Sequence, residues 1–99
     1  MLDLIIRGGQ VVAPWGIGDW DVAVQGDKIV SVAAAGTVTE EAVRVVDASG
    51  KIVVPGGIEP HAHIAAPFIA QGQNVSTAPP EQVTRASLFG GATTLMDFA

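Results

Sequence analysis

The sequence predicts a small β-sandwich-like module over residues 1–54 and, from Pro55 onward, one βαβ unit. Three observations carry this. Short runs of Val, Ile and Leu recur through the first half, bounded by Gly, Asp or Pro, as in a set of strands joined by tight turns. Pro55-Gly56-Gly57 then breaks the pattern, because proline cannot donate to a sheet ladder and the glycine pair permits a sharp redirection. Beyond it come a strand, a polar loop, a helix and another strand, and two strands joined through a helix are expected to run parallel.

In chain order, Leu2-Asp3-Leu4-Ile5-Ile6 predicts a first strand, Gly8-Gly9 a turn and Gln10 to Ala13 a second strand. Pro14 to Trp20, punctuated by Pro14, Gly16 and Gly18, predicts a loop. Asp21 to Gln25 and Lys28 to Ala33 predict a hairpin about Gly26-Asp27, where glycine supplies positive φ. Ala34 to Glu41 predicts a loop or short helical turn, Val43 to Asp47 a strand, Ser49-Gly50-Lys51 a turn, and Ile52-Val53-Val54 a short strand. The edges of this module are incomplete, so other chain segments are expected to finish its sheet.

In the second half, Ile58 to Ile64 predicts a short strand and Ala65 to Ala78 a long loop. Pro79-Pro80 opens a helix over Glu81 to Phe89, and Gly90-Gly91 closes it. Glu81 favours the positive helix end, and Val83, Ala86 and Phe89 or Leu88 form a rough apolar face. Ala92 to Phe98 predicts the next strand. One βαβ unit cannot close a barrel or cover both faces of a sheet, and the sequence stops on a strand at Phe98-Ala99. The expectation is therefore the N-terminal part of a larger protein or a partial stretch of one.

Composition excludes several classes of function. Five basic against ten acidic residues give a formal charge of −5, and the basic ones are scattered at Arg7, Lys28, Arg44, Lys51 and Arg85, which argues against nucleic-acid or anionic-membrane binding. The chain is 48% hydrophobic yet holds no uninterrupted run of 18 apolar residues, so no membrane span is expected. Cysteine is absent, which removes disulfides and thiolate metal sites. Met1-Leu2-Asp3-Leu4 lacks the basic segment and apolar core of a signal peptide, and a cytoplasmic location is expected.

The chemistry concentrates at His61-Ala62-His63, which contains both histidines of the chain. Side chains repeat with period two along a strand, so both imidazoles leave on one face and can hold one divalent cation through neutral ring nitrogens. The alternative is a pair of surface or packed histidines. Trp15 and Trp20 suit core or subunit packing, or an aromatic platform. Asp19, Asp21 and Asp27 read as solvated turn and strand-edge residues rather than a calcium site. Asp97 at a strand end reads as structural, with a catalytic role as the alternative.

Val54-Pro55-Gly56-Gly57-Ile58-Glu59-Pro60-His61-Ala62-His63 resembles the first metal motif of the cyclic amidohydrolases, in particular the dihydropyrimidinase and hydantoinase branch. Pro67-Phe68, the closing Phe89-Gly90-Gly91-Ala92-Thr93-Thr94-Leu95-Met96-Asp97-Phe98-Ala99 and the opening Asp3-Leu4-Ile5-Ile6-Arg7-Gly8-Gly9 are also similar to that branch. The resemblance implies a (β/α)8 TIM-type barrel beginning at Pro55, with residues 1 to 54 forming part of a small β-sandwich. It implies that His61 and His63 ligate one metal of a two-zinc site, with manganese or another divalent ion as a substitute. The bridging carboxylated lysine, two further histidines, an aspartate ligand and a late proton-shuttle aspartate would lie beyond residue 99. Neither Lys28 nor Lys51 replaces that lysine, so these residues alone are expected to be inactive.

In this family metal-bound hydroxide opens the cyclic amide of a dihydropyrimidine or hydantoin to an N-carbamoyl amino acid. The resemblance thus implies a small cyclic amide or ureide substrate and a homo-oligomer, commonly a tetramer. Phe68 and Ile69 fall in what would be a substrate-gating loop; solvent-facing or subunit-packing roles are the alternative. Ala65 stands where dihydroorotase-type members carry an arginine, which disfavours a carboxylated ring. Glu59 replaces the commoner aspartate, which bears on the surroundings of the histidines. A complete histidine pair favours an enzyme over the non-catalytic structural relatives of this branch. Allantoinase or deaminase chemistry is the remaining alternative.

Overall fold

Strand formers in the first half build one mixed sheet. The computed structural model describes residues 1–97. It divides into two units, Met1–Pro55 and Gly56–Ala99. The first holds β1 (Leu2–Ala13), β2 (Gly16–Gln25), β3 (Lys28–Ala34), β4 (Ala42–Asp47) and β5 (Ile52–Val53). The order is β3-β2-β1-β4, with β5 also on β1. β1–β2 and β2–β3 are antiparallel, whereas β4 and β5 both run parallel to β1.

The expected turn at Gly8-Gly9 is instead a bulge inside a continuous β1. The β1–β2 register shifts between Ile6 and Gly9, and Gly8 takes φ 78. A left-handed glycine supplies one extra residue without reversing the chain. The bulge also divides one strand edge between two partners. Leu2 to Arg7 pair with β4, and Gln10 and Val11 pair with β5. The Ala48 amide donates to the Arg7 carbonyl and the Gln10 amide to the Lys51 carbonyl across the changeover. The expected loop from Pro14 to Trp20 is also shorter than its glycines suggest: β2 starts at Gly16, and only Pro14 and Trp15 form the turn.

A sandwich needs two facing sheets, and the described residues of the first unit supply one layer. One face of it carries a core of Leu2, Ile5 and Ala23, against which Val38 and Ala42 pack. The other presents an apolar depression of about 380 Å³ lined by residues including Ile6, Val22, Val24, Val53 and Trp15. Trp15 is 67% exposed, and its ring centroid lies 6.0 Å from that of half-buried Trp20.

Asp21 departs from its expected role as a solvated edge residue. It is 2% exposed and accepts hydrogen bonds from Arg7 Nη1, the Gly8 amide and the Gly36 amide, each at 3.0 Å. Asp19 and Asp27 are exposed, as expected. Burial pushes the Asp21 carboxyl up, but the Gly36 and Gly8 amides, followed by the hydrogen bond and charge of Arg7, outweigh it and hold the group below its ordinary range.

The second unit contains β6 (Gly57–Ala62), β7 (Pro67–Ala70), β8 (Gln73–Ser76), α1 (Pro80–Phe89) and β9 (Ala92–Asp97). β6 and β9 pair in parallel, as expected for strands joined through a helix. The expected long loop between β6 and the helix instead holds the β7–β8 hairpin, closed by Gln71 (φ 51) and Gly72 (φ 76). Two consecutive positive φ values are the type I′ pattern, which matches the twist of two-residue hairpins. Phe98-Ala99, expected to end the last strand, lies outside the described residues.

Helix α1 begins one residue earlier than expected, with Pro80 in its first turn, and Gly91 at φ 85 follows the Gly90 cap. Its packed side differs from the expectation. Val83 and Ser87 are half-buried, whereas Phe89 is 89% exposed. At 100° per residue Phe89 lies about 240° around the helix from Val83, away from the side where Thr84, Ser87 and Leu88 line a depression together with Leu95 of β9.

Candidate metal centre

The histidines stand where β6 ends. Pro60 and His61 belong to the strand, Ala62 closes it, and His63 follows immediately. Both imidazoles are exposed and converge: the two Nε2 atoms are 3.2 Å apart, the ring centroids 5.0 Å, and the ring planes cross at 72°. A tetrahedral zinc with Zn–N bonds of about 2.0–2.1 Å separates two ligand nitrogens by about 3.3–3.4 Å. The observed spacing therefore fits two ligands on neighbouring corners of one ion.

Two carboxylates hold this strand end through the backbone. Glu59 Oε1 accepts from the His61 amide at 3.0 Å, and Asp97 Oδ1, on the parallel neighbour β9, accepts from the Ile64 amide at 3.2 Å. The Asp97 contact agrees with a structural role. Beyond His63 the backbone turns at Ala65, which takes φ 48, a conformation costing about 1–2 kcal/mol for a residue with a Cβ. Reciprocal bonds from there lead into the hairpin: the Ala65 amide donates to Ala78 and the Thr77 amide to Ala66.

An open depression of about 440 Å³ adjoins His63, which lines it with Ala66, Pro67, Phe68 and Thr77. Phe68 thus shares a depression with His63, while Ile69 is 73% exposed and outside that lining. Adjacent strand residues point to opposite faces, so they cannot share one wall. Among the described residues, no group of three or more His, Cys, Asp or Glu side chains converges on one point. Two imidazoles leave a tetrahedral ion short of ligands, so any further ones must come from elsewhere.

Residues 44–99 match the model of the amidohydrolase family. The chain belongs to the amidohydrolase family. Within it, the chain is 40% identical over 98 residues to a D-hydantoinase of Streptomyces coelicolor, covering 96% of this chain and 20% of that protein. It is 41% identical over 95 residues to an allantoinase of Salmonella choleraesuis, covering 96% and 19%. The crystal structure of dihydropyrimidinase from Brevibacillus agri superposes with a TM-score of 0.80 at 36% identity, covering 99% of this chain and 20% of that one. This amidohydrolase chain therefore spans about a fifth of the length of the curated relatives it matches. Among its described residues, no helix is long and apolar enough to cross a membrane.

Proposed function

We propose that the chain is part of a metal-dependent hydrolase that opens the ring C–N bond of a dihydropyrimidine or hydantoin to give an N-carbamoyl amino acid. The observation supporting this most directly is the 3.2 Å separation of the His61 and His63 Nε2 atoms, in a family whose relatives include hydantoinases. On this reading residues 1–54 contribute to a β-sandwich, and residues 55–99 open a (β/α)8 barrel whose first strand carries the histidines at its carboxyl end. The complete site would hold two divalent ions, zinc by preference, with a carboxylated lysine outside this stretch as a further ligand. The protein is a cytoplasmic tetramer.

Hydrolysis forms a C–O bond at the ring carbonyl, breaks the C–N bond and places a proton on the departing nitrogen. Metals held there would supply Lewis acidity toward water and that carbonyl. The chain's own residues do the positioning. His61 and His63 present their Nε2 atoms, Glu59 fixes the His61 backbone and Asp97 fixes the backbone just after His63. Phe68 lines the same depression as His63 and offers an apolar surface to the substrate ring.

The test is metal analysis of the full-length protein beside its His61→Ala/His63→Ala variant, with dihydrouracil, hydantoin and allantoin hydrolysis assayed on the same samples. About two metals per subunit and opening of dihydrouracil or hydantoin, both lost in the variant, support the proposal. Turnover of allantoin alone moves the substrate to that ureide. A protein without metal or activity after zinc reconstitution is a non-catalytic relative.

A further inference from the structure

The connection from β3 to β4 has to cross the sheet. In the order β3-β2-β1-β4 these strands are on opposite edges, so residues 35–41 run over β2 and β1. Ile5 pairs with Ala23 in antiparallel register; Arg7 follows Ile5 by two residues and Asp21 precedes Ala23 by two, so all four side chains leave on the same face. The face under the strap therefore has an apolar half and a charged half. Val38 packs against the Leu2, Ile5 and Ala23 cluster, while Arg7 and Asp21 hold the strap's backbone.

The side-chain fastening of the strap's first half runs through the Arg7–Asp21 ion pair. Asp21 Oδ2 accepts from the Gly36 amide at 3.0 Å, where the strap leaves β3. Arg7 donates through Nη1 to Asp21 and through Nη2 to the Val38 carbonyl, both at 3.0 Å, and so links the carboxylate to the middle of the strap. Asp21 Oδ1 takes the Gly8 amide, tying the same carboxylate to the β1 bulge. At the far end the Leu2 amide donates to the Glu41 carbonyl at 2.8 Å.

We infer that Asp21 and Arg7 form a clasp that fastens the 35–41 strap over the sheet, and that the strap opens as a unit, uncovering Leu2, Ile5 and Ala23, when the Asp21 charge is removed. Buried carboxylates with backbone donors bind them as charged acceptors, and each such bond is stronger than a neutral one. Otherwise the strap is held by the Ala35 amide on the Asp19 carbonyl, Thr37 on the Ala34 carbonyl, the Leu2 amide on the Glu41 carbonyl and the packing of Val38, and with so few attachments this segment belongs to the low-stability end of the fold.

The ionisable groups around Asp21 set the direction of the switch. Arg7 from β1 favours the charged form, and β3 offers only Ala33 at the paired position. Glu40 and Glu41 of the strap are exposed, with Glu40 near the amino terminus at 3.8 Å. Asp47, in register with Arg7 on β4, is exposed and bonded to Ser49. The folded-state value of Asp21 is lowered, so the clasp holds at and above the ordinary carboxylate range and releases as pH falls through the lowered value.

Amide hydrogen exchange of the full-length protein, resolved by peptide and corrected for intrinsic rates, tests this in wild type, Asp21→Asn and Arg7→Lys. Asp21→Asn is expected to speed exchange over residues 35–41 by about tenfold or more at neutral pH, leaving β6, β9 and α1 unchanged. Arg7→Lys keeps the charge but cannot reach two acceptors at once, so it should loosen residues 37–41 more than Gly36. In wild type the strap should lose protection in acid before the second unit does, a result that needs no variant to fold. Unchanged strap protection in Asp21→Asn, or acid opening of the strap only together with the whole chain, overturns the inference.

Discussion

The Nε2 atoms of His61 and His63 face each other across 3.2 Å at the end of a strand that pairs in parallel with β9. Two nitrogens at that distance match the edge of a tetrahedron around one ion. On the proposed metal-binding reading, replacing either histidine by alanine halves the ligand set that this stretch supplies. Each single variant should bind zinc more than about 100-fold more weakly than wild type, since loss of an outer partner alone costs about 10–100-fold. Competition of the full-length protein with a chelating dye reads this directly. Equal zinc affinity in both single variants and wild type would remove the pair from the metal site.

Glu59 supports the pair from the backbone. Its Oε1 accepts from the His61 amide, two residues on, and so fixes the angle at which the first imidazole leaves the strand. Glu59→Ala should weaken zinc retention by roughly tenfold through misplacement of His61. Glu59→Gln keeps an oxygen in the same reach and should recover most of that loss. The same dye competition separates the two variants, and equal loss in both would mean that the charge of Glu59, not its hydrogen bond, is what matters.

The histidine convergence was legible because His61, in the strand, and His63, one residue past its end, keep the period-two spacing of a strand. Gly8-Gly9 was not. A glycine pair between two apolar runs reads as a reversal, and it becomes a bulge only because β4 and β5, more than 30 residues away, take up the two halves of one edge. The burial of Asp21 was hidden for the same reason: its donors are 13 to 15 residues away in sequence, and an aspartate among strand residues ordinarily marks an exposed edge. The β7–β8 hairpin escaped because its arms are four residues each and its turn begins with Gln71 rather than Asn or Asp.

That last feature is itself a handle on stability. Gly72 takes φ 76 with no atom near its missing Cβ, so a substitution there acts through the backbone alone. Gly72→Ala should destabilise the hairpin by about 1–2 kcal/mol, the cost of a left-handed residue carrying a Cβ. Gln71→Asn should act in the opposite sense, because asparagine tolerates positive φ better. Limited proteolysis at residues 70–73 of the full-length protein would rank the three forms: Gly72→Ala cut fastest, Gln71→Asn slowest.

Gly56 is constrained by space rather than by φ. A Cβ on it would strike Oγ1, Cγ2 and Cβ of Thr93. Thr93 is β-branched and held in β9, so it has little freedom to turn aside. Gly56→Ala should cost about 1–3 kcal/mol, as overpacking does. Thr93→Gly should offset much of that cost in the double variant, and denaturant midpoints over the full cycle measure the coupling. Additive effects would mean that the β6 entry has shifted away from β9.

Asp47 offers a pH-dependent prediction that does not involve the histidines. Its Oδ1 accepts from the Ser49 hydroxyl at 2.6 Å and from the Ser49 amide at 2.9 Å. The hydroxyl is the larger cause, and with the amide and the charge of Lys51 it holds the carboxyl below its ordinary range against a smaller opposing effect of burial. Ser49→Ala removes the hydroxyl and leaves the amide. The Asp47 value should rise toward that of a free carboxylate and remain below it. A lowered folded value stabilises above the unfolded pKa and loses that contribution as pH falls through the folded one, so Ser49→Ala should also weaken the acid dependence of stability. Carboxyl carbon NMR of Asp47 follows the titration directly. A value that stays put in Ser49→Ala would assign the shift to the amide and Lys51 alone.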